Sequence, residues 1–420
     1  MFYNAGPADQ SRVGRAAIRR LEESGSGSCD AVVFHHRTPY LPERLLEPVG
    51  LFRGESGSRT YEIPSKGVPE DVPLAKLDES VESMVKFVKA MPSDIRSTVV
   101  EKHADGTDPG SAETLKEFII DSMERYPAER YAVIMTGHGA AFGGQSIVGA
   151  TGSRMKNSEL AQVFEEVRKE TGEGIDLLNL NTCYGANLET LAELGDTVPV
   201  VVASEDKIFG GTQPFDKVMK TLNGAIDAGE RVDGRDLAKI FVAESKHQPL
   251  SNLYTPTLSA IDTSKLGEVL KSLKSFHAKA TELADSPTLR ESVEKSARFL
   301  YNSKKREIHL VDLGSFLTEL KRQDVPTELR ESIQRVQEAV GRCVIAEQHA
   351  DSRKSTLSSI LIEGPLKATV DPVDPPTGLS VYYDQDIEGP NGRLKQIQGG
   401  RFAQETAAEP FLLHLGKDGK

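Results

Sequence analysis

Two short apolar segments of this chain end at side chains that could perform nucleophilic chemistry. Residues 131–139 bring His138 to the end of one segment, and residues 175–185 bring Cys183 to the end of the other. Each segment has the length and composition of a buried strand, and each meets glycine shortly after the reactive residue. If the two strands are parallel neighbours, His138 and Cys183 lie side by side, as a cysteine nucleophile and its acid/base partner do.

A third strand adds polar groups to the same predicted edge. Residues 198–203 form an apolar run that Ser204, Glu205 and Asp206 follow. Ligands of doubly wound sheets bind outside the carboxyl ends of the strands, and neighbouring strands lie about 4.8 Å apart. Side chains from these strand ends can therefore flank one peptide. Glu205 and Asp206 are candidate substrate-binding residues, with ordinary surface charge as the alternative.

The environment predicted for Cys183 favours its reactivity. A helix is expected to begin a few residues later, near Asn187, so its dipole would favour a thiolate. Gly139 and Gly185 allow close approach of a substrate backbone and leave N–H groups available for an oxyanion. The alternative is a small buried hydrophobe, which is how we interpret Cys343; no role is assigned to Cys29.

Alternating strands and helices must position these residues. Strands 132–135, 175–180 and 198–203 are separated by helices that begin near Asn157 and Asn187. This order predicts a parallel sheet with right-handed crossovers. Elsewhere we predict helices over 11–23, 81–91 and 112–126, a hairpin from 49–52 and 61–63, and short β-like runs at 356–362 and 379–382.

The pattern of predicted secondary structure changes near residue 261. Long amphipathic helical patterns follow this point, and the chain ends in a polar tail. We therefore predict an α/β catalytic domain over residues 1–260 and a helix-rich region with short strands over residues 261–420.

Composition narrows the class of protein. The chain has 420 residues and a net charge of −12, which argues against a nucleic-acid-binding protein. It contains no apolar run of membrane-spanning length and no basic-then-apolar leader after Met1. We expect a cytoplasmic protein, or a secreted one if the precursor starts upstream. The three cysteines lie far apart, so neither a disulfide framework nor a metal-binding spacing is predicted.

Motifs of other enzyme classes are absent from the sequence. It contains no GxSxG, no HExxH, no P-loop and no GxGxxG after a strand. His35 and His36 also follow a predicted strand, but nothing places them beside Cys183, so we interpret them as structural.

The motifs around His138 and Cys183 resemble those of the clostripain-like cysteine peptidases, which share a clan with caspases, legumains, gingipains and separases. The matching segments, in chain order, are residues 2–5, 126–139, 181–183, 203–205, 258–262, 311–314 and 378–382. Their order, more than any single motif, makes the resemblance specific from near Met1 to about Tyr383.

The resemblance implies a caspase-like (caspase-hemoglobinase) fold and endopeptidase activity on proteins or peptides. Cys183 would attack the scissile carbonyl, His138 would protonate the leaving amine, and the N–H groups of Gly139 and Cys183 would hold the oxyanion. Family members mostly cut after Arg or Lys. No cofactor is required for this chemistry, but several members need calcium or self-cleavage, so calcium is a candidate activator.

One position departs from the family pattern. The family usually places Asp two residues before the cysteine, whereas this chain has Asn181. An amide keeps hydrogen bonding but loses the charge that would pair a guanidinium. We expect Asn181, Ser204, Glu205 and Asp206 to contact the substrate, with a carboxylate of the last two serving a basic residue. A preference for a neutral or polar residue is the alternative.

Two further hypotheses concern activation and class. Arg154 and Lys156 lie in the loop between His138 and the helix at Asn157, which makes them candidate self-cleavage sites. The rivals to catalysis by a peptidase are a non-catalytic caspase-fold binding module and a different thiol enzyme such as an acyltransferase. The sequence leaves the oligomeric state open.

Overall fold

The computed structural model describes residues 1–5, 8–37, 56–68, 95–145, 153–208, 213–246, 257–303, 306–349, 374–384 and 394–416. All structural statements that follow concern these residues.

A nine-stranded sheet forms the centre of the described chain, in the order β11-β8-β7-β6-β5-β1-β2-β3-β4. Its strands are β1 Phe2–Asn4, β2 Val32–Arg37, β3 Gly57–Glu62, β4 Thr98–Lys102, β5 Ala132–Thr136, β6 Leu177–Asn181, β7 Val200–Ala203, β8 Thr257–Asp262 and β11 Val344–His349. The five adjacent strands β7, β6, β5, β1 and β2 are parallel to one another. The outer strands on both sides pair antiparallel. A small antiparallel sheet joins β9 Arg298–Ser303, β10 Arg306–Asp312 and β12 Ser380–Val381.

Helices cover both faces of the large sheet. They are α1 Ala8–Ser24, α2 Ala112–Arg125, α3 Asn157–Thr171, α4 Leu188–Leu194, α5 Phe215–Asp227, α6 Gly234–Ser245, α7 Leu266–Leu283, α8 Ser286–Lys295, α9 Leu313–Arg322, α10 Thr327–Cys343, α11 Leu394–Ile397, α12 Arg401–Thr406 and α13 Ala408–Leu415. None of the described helices is long and apolar enough to cross a bilayer.

The central strands are apolar along their whole length because both of their faces are buried. In β5, Val133 and Met135 pack into the core that includes α2 and α3, while Ile134 packs into the core that includes α5 and α6. Parallel strands covered by helices on both sides have this composition. The burial explains why these strands are recognisable from sequence.

The predicted fold class is confirmed: the sheet is mostly parallel and flanked by helices. The central strands and helices lie within a few residues of their predicted bounds, and the run predicted at 379–382 contains β12. The predicted elements at 49–52, 81–91 and 356–362 lie outside the described residues. Residues 61–62 belong to β3, which pairs with β2 and β4.

The division at residues 260/261 stays a prediction. The large sheet extends on both sides of that position, because β8 spans Thr257–Asp262 and β11, from the later region, pairs with β8. The later region also supplies α7, α9 and α10 to the core that covers one face of the sheet.

Candidate active site

The register between β5 and β6 aligns the loops that carry His138 and Cys183. Thr136 pairs with Asn181, and the two reactive residues follow at equal distance beyond that pair. A Cβ added to Gly139 would lie 2.3 Å from the Cys183 carbonyl oxygen. The backbones of the two loops are therefore in close contact at the carboxyl end of the sheet.

The Cys183 side chain is half-buried, and burial raises the pKa of its thiol to about 11. The thiol donates a weak hydrogen bond to the Ile208 carbonyl oxygen, with Sγ and oxygen 3.7 Å apart. Helix α4 begins where expected, at Leu188 with Asn187 as its cap, but in this conformation burial raises the pKa of the thiol rather than favouring the thiolate.

The backbone after Cys183 adopts a conformation that few residues tolerate. Tyr184 has φ of 60°, in the left-handed region, which is uncommon for a bulky residue. Its N–H donates to the Asp206 carbonyl oxygen at 3.1 Å, and the Ala186 N–H donates to the Ser204 carbonyl oxygen at 2.8 Å. Backbone strain of this kind clusters at functional sites.

Close packing explains why position 185 holds a glycine. A Cβ at this position would lie 3.0 Å from the Leu180 Cβ and 3.2 Å from the Ala203 Cβ. The glycine therefore lets the turn after Cys183 fold over the ends of β6 and β7.

A buried polar network supports the residue before Cys183, and sequence reasoning missed it. The Thr182 hydroxyl donates to the Gln145 Oε1 at 2.6 Å. The Gln145 Nε2 donates to the Asn157 Oδ1 at 3.4 Å, and the Asn157 Nδ2 donates to the Thr190 Oγ1 at 3.1 Å. Asn157 is the first residue of α3, as the predicted start of this helix implies, and its side chain ties α3 to α4. The sequence shows only that these positions hold uncharged polar residues, which does not reveal that their side chains contact one another.

Asn181 ends β6 with its side chain buried at 2% exposure. Its Nδ2 donates to the Thr136 hydroxyl at 3.2 Å, while its Oδ1 has no hydrogen-bond partner among the described atoms. A buried carbonyl oxygen without a partner is costly.

Ser204 and Glu205 are fully buried, whereas Asp206 is half-buried. The Ser204 hydroxyl lies 2.9 Å from the Thr257 hydroxyl. The Glu205 Oε2 accepts the Gly378 N–H at 3.1 Å, and burial beside Asp312 raises its pKa well above the usual range. Glu205 is therefore enclosed in protein.

Arg154 and Lys156 are both exposed, so their side chains are accessible to a peptidase. Between them, Met155 pairs with Gln145 through two backbone hydrogen bonds of 2.8 and 3.0 Å. This bridge connects the candidate self-cleavage segment to the network that holds Thr182. Self-cleavage and the calcium requirement stay predictions.

The other candidate features of the described residues are a cavity and two buried side chains. Within the described residues, no cluster of His, Cys, Asp or Glu is suited to a metal ion. A cavity of about 240 Å³ lies at the opposite edge, among residues that include Phe2, Leu177 and Phe215. We place the candidate site at the carboxyl ends of the strands, because the reactive side chains lie there and the cavity is mostly apolar. Cys343 is buried, with its Sγ 3.4 Å from the Asp262 carbonyl oxygen. His35 is buried in β2, and burial lowers the pKa of its imidazole to about 3.

Comparisons with known proteins agree on one family. The family model described as the clostripain family matches residues 75–386. No curated protein matches. An inactive zymogen C11 protease from Parabacteroides distasonis has 15% identity and a TM-score of 0.64, with 96% of each chain covered.

Two structures of a secreted C11 cysteine protease from Bacteroides thetaiotaomicron are also similar in fold. One has 12% identity and a TM-score of 0.60, covering 99% of this chain and 97% of the other. The second, in complex with an irreversible peptide inhibitor, has 14% identity and a TM-score of 0.62, covering 96% and 97%. Because the family model covers more than half of the 420 residues, this chain belongs to the clostripain family of cysteine peptidases, which hydrolyse peptide bonds.

Proposed function

We propose that Cys183 and His138 form the catalytic dyad of this peptidase. The observation that carries the proposal is the aligned register of β5 and β6, which brings both loops to the same edge. The close contact of Gly139 with the Cys183 carbonyl supports it. Cysteine as nucleophile with histidine as acid/base is the established chemistry of such a pair.

The reaction follows from these roles. His138 takes the proton of the Cys183 thiol as the sulfur attacks the scissile carbonyl carbon, and the carbonyl oxygen becomes an oxyanion held by the N–H groups of Gly139 and Cys183. As the C–N bond breaks, His138 gives this proton to the leaving amine. A water molecule then gives a proton to His138 and attacks the thioester carbon. The C–S bond breaks, the acid product leaves, and His138 returns the proton to the Cys183 sulfur.

We propose that the enzyme cuts after Arg or Lys. Asp206 is the carboxylate of the predicted pair that solvent partly reaches, since Glu205 is enclosed, and its Oδ1 accepts the Lys207 N–H at 2.7 Å. The Asn181 Oδ1 offers a further acceptor without a partner. A guanidinium or ammonium supplies several N–H donors to such acceptors.

We further propose that the structure represents the uncut, resting enzyme. The thiol is protonated at neutral pH and donates to the Ile208 carbonyl, an arrangement suited to a resting nucleophile. Cleavage after Arg154 or Lys156 would release one side of the Met155–Gln145 bridge. The network through Thr182 then conveys this change to the residue before Cys183.

A peptide library varied at the residue before the scissile bond tests the proposal. Wild type, Cys183→Ala and His138→Ala are compared, with and without calcium. Cys29→Ala is the matched control, because Cys29 is also a half-buried thiol but lines the cavity at the opposite edge of the sheet. We expect cleavage after Arg and Lys by wild type and the control, and none by the dyad variants.

The same experiment separates the alternatives. Cys183-dependent cleavage after neutral or polar residues would replace the basic preference. Cleavage that persists in Cys183→Ala would refute the dyad. Absence of cleavage in every condition would favour the non-catalytic binding module.

A further inference from the structure

The loop that carries Cys183, residues 182–187, is held from two sides. On one side, Ser204 and Asp206 accept the N–H groups of Ala186 and Tyr184. On the other side, the Ala186 carbonyl oxygen accepts the Ser380 N–H at 2.9 Å and the Ser380 hydroxyl at 3.2 Å. The position of Cys183 therefore depends on two segments that are distant in sequence.

Residues 374–384, here called the strap, provide the second side. The Asp312 Oδ2 accepts both the N–H and the hydroxyl of Thr377 at 2.8 Å. The Leu313 N–H donates to the Leu379 carbonyl oxygen at 2.9 Å. These bonds fix the strap just before it reaches the Cys183 loop at Ser380.

Glu205 connects the two sides. It lies between Ser204 and Asp206, whose carbonyl oxygens hold the Cys183 loop, and its own Oε2 accepts the Gly378 N–H of the strap at 3.1 Å. Gly378 has φ of +100°, and a Cβ there would lie 2.7 Å from the Ser259 Oγ. The strap thus passes Glu205 along a path that suits glycine.

The Glu205 side chain is fully buried, and Asp312 adjoins it. Burial and this neighbouring carboxylate raise the pKa of Glu205 well above the usual range. The enclosed carboxyl accepts the Gly378 N–H and is not presented to a basic substrate.

We propose that Glu205 is a positioning residue, which joins the strap to residues 204–206 and so fixes the Cys183 loop without contacting substrate. This inference rests on the proposed role of Cys183 as nucleophile. It differs from the expectation that Glu205 binds a basic side chain, and the two roles respond differently to amide substitution.

Two substitutions separate the roles. Glu205→Gln keeps an acceptor for the Gly378 N–H and a donor toward Asp312, so we expect kcat within roughly threefold of wild type. Glu205→Ala removes the acceptor and loosens the loop, so we expect kcat to fall by about tenfold or more with little change in KM. Kinetics with an Arg or Lys peptide measure both.

Thiol labelling by iodoacetamide, resolved by peptide mass spectrometry, adds a second readout. In Glu205→Ala the loosened loop exposes Cys183, so its labelling rate should rise roughly fivefold while cleavage falls. The buried Cys343 is the internal control, because its labelling rises only when the core opens. Glu22→Ala is the matched control: it removes another buried carboxylate, paired with Arg19 and bonded to the N–H groups of Arg96 and Ser97, all of which lie outside the strap.

The proposal is overturned if Glu205→Ala cleaves like wild type or if Cys343 labelling rises together with that of Cys183. It is also overturned if Glu205→Gln is as deficient as Glu205→Ala, with KM raised on basic peptides, because that pattern identifies a substrate-binding charge. If Glu205→Ala does not fold, Gly378→Ala takes its place, and wild-type kinetics in that variant would refute the role of the strap.

Failure of the proposed function gives a different result. Cleavage that does not depend on Cys183, or no cleavage at all, would contradict the dyad. The labelling ratio of Cys183 to Cys343 would still decide whether Glu205 positions the loop.

Discussion

Replacing Gly139 with alanine tests how closely the His138 loop must approach the Cys183 loop. A Cβ at this position would lie 2.3 Å from the Cys183 carbonyl oxygen and 2.9 Å from both the Thr182 Cβ and the Gln145 Oε1. Ordinary carbon–oxygen contact begins about 1 Å farther out, and close-packed interiors do not absorb such an overlap. Because two of these contacts are to the backbone and to a β-carbon, the loops themselves must separate.

The expected loss follows from that displacement. A misplacement of about 1 Å at a catalytic centre can reduce the rate by roughly 100-fold, or about 2.7 kcal/mol of transition-state stabilisation. The insertion of a methyl group into a packed site also lowers the free energy of unfolding by roughly 1–3 kcal/mol. We therefore expect Gly139→Ala to lose far more activity than its stability alone explains.

The assay compares kcat/KM on a cleaved peptide with the midpoint of thermal unfolding. Gly174→Ala is the matched control, since a Cβ there would meet its nearest atom only at 4.0 Å. Activity of Gly139→Ala within roughly threefold of wild type would refute the inferred contact. So would an equal loss of activity in Gly174→Ala.

Three further predictions concern titration and processing. Because burial raises the Cys183 pKa to about 11, labelling of Cys183 in the uncut enzyme should climb through pH 9 and 10, and a plateau already reached at pH 8 would contradict this. Burial raises the pKa of Glu189 to about 7 from its ordinary value of 4.5. The folded state therefore holds this proton more tightly than the unfolded state, so the stabilisation is present below about pH 4.5 and is lost as the pH rises to about 7, on the order of 3 kcal/mol. Glu189→Gln should remove that part of the pH dependence in urea titrations, and identical slopes in both proteins would sink the assignment. Substitution of both Arg154 and Lys156 by Gln should leave the chain uncut in intact-mass measurements, whereas a cut at an unchanged position would refute self-cleavage at these residues.

The sequence predicted the parts of the site that depend on local pattern. Strands β5 and β6 are buried on both faces, so their apolar runs and the polar residues at their ends are visible without a structure. From these runs alone, His138 and Cys183 could be placed at one edge. The register between Thr136 and Asn181 accounts for their alignment.

The rest depends on contacts between residues far apart in the chain. Glu205 follows a strand, and this position in the sequence predicts a charged side chain at an open edge of the sheet. In the structure Glu205 is buried, and its carboxyl accepts the N–H of Gly378, which lies 173 residues later. The network from Thr182 to Gln145 crosses 37 residues and joins two loops that have no periodic pattern. The pKa of Cys183 likewise depends on burial by residues distant in sequence, which a local pattern does not show.

Covalent capture of the nucleophile tests the central claim most directly. The enzyme, activated where necessary, is treated with an irreversible peptide inhibitor that carries Lys before the reactive group, and the modified residue is located by mass spectrometry. We predict one adduct per chain, on Cys183, with complete loss of cleavage and with slow modification in His138→Ala. An adduct on Cys29 or Cys343 would contradict the account. So would a Cys183→Ala enzyme that still cleaves peptides and is inactivated by the inhibitor at another residue.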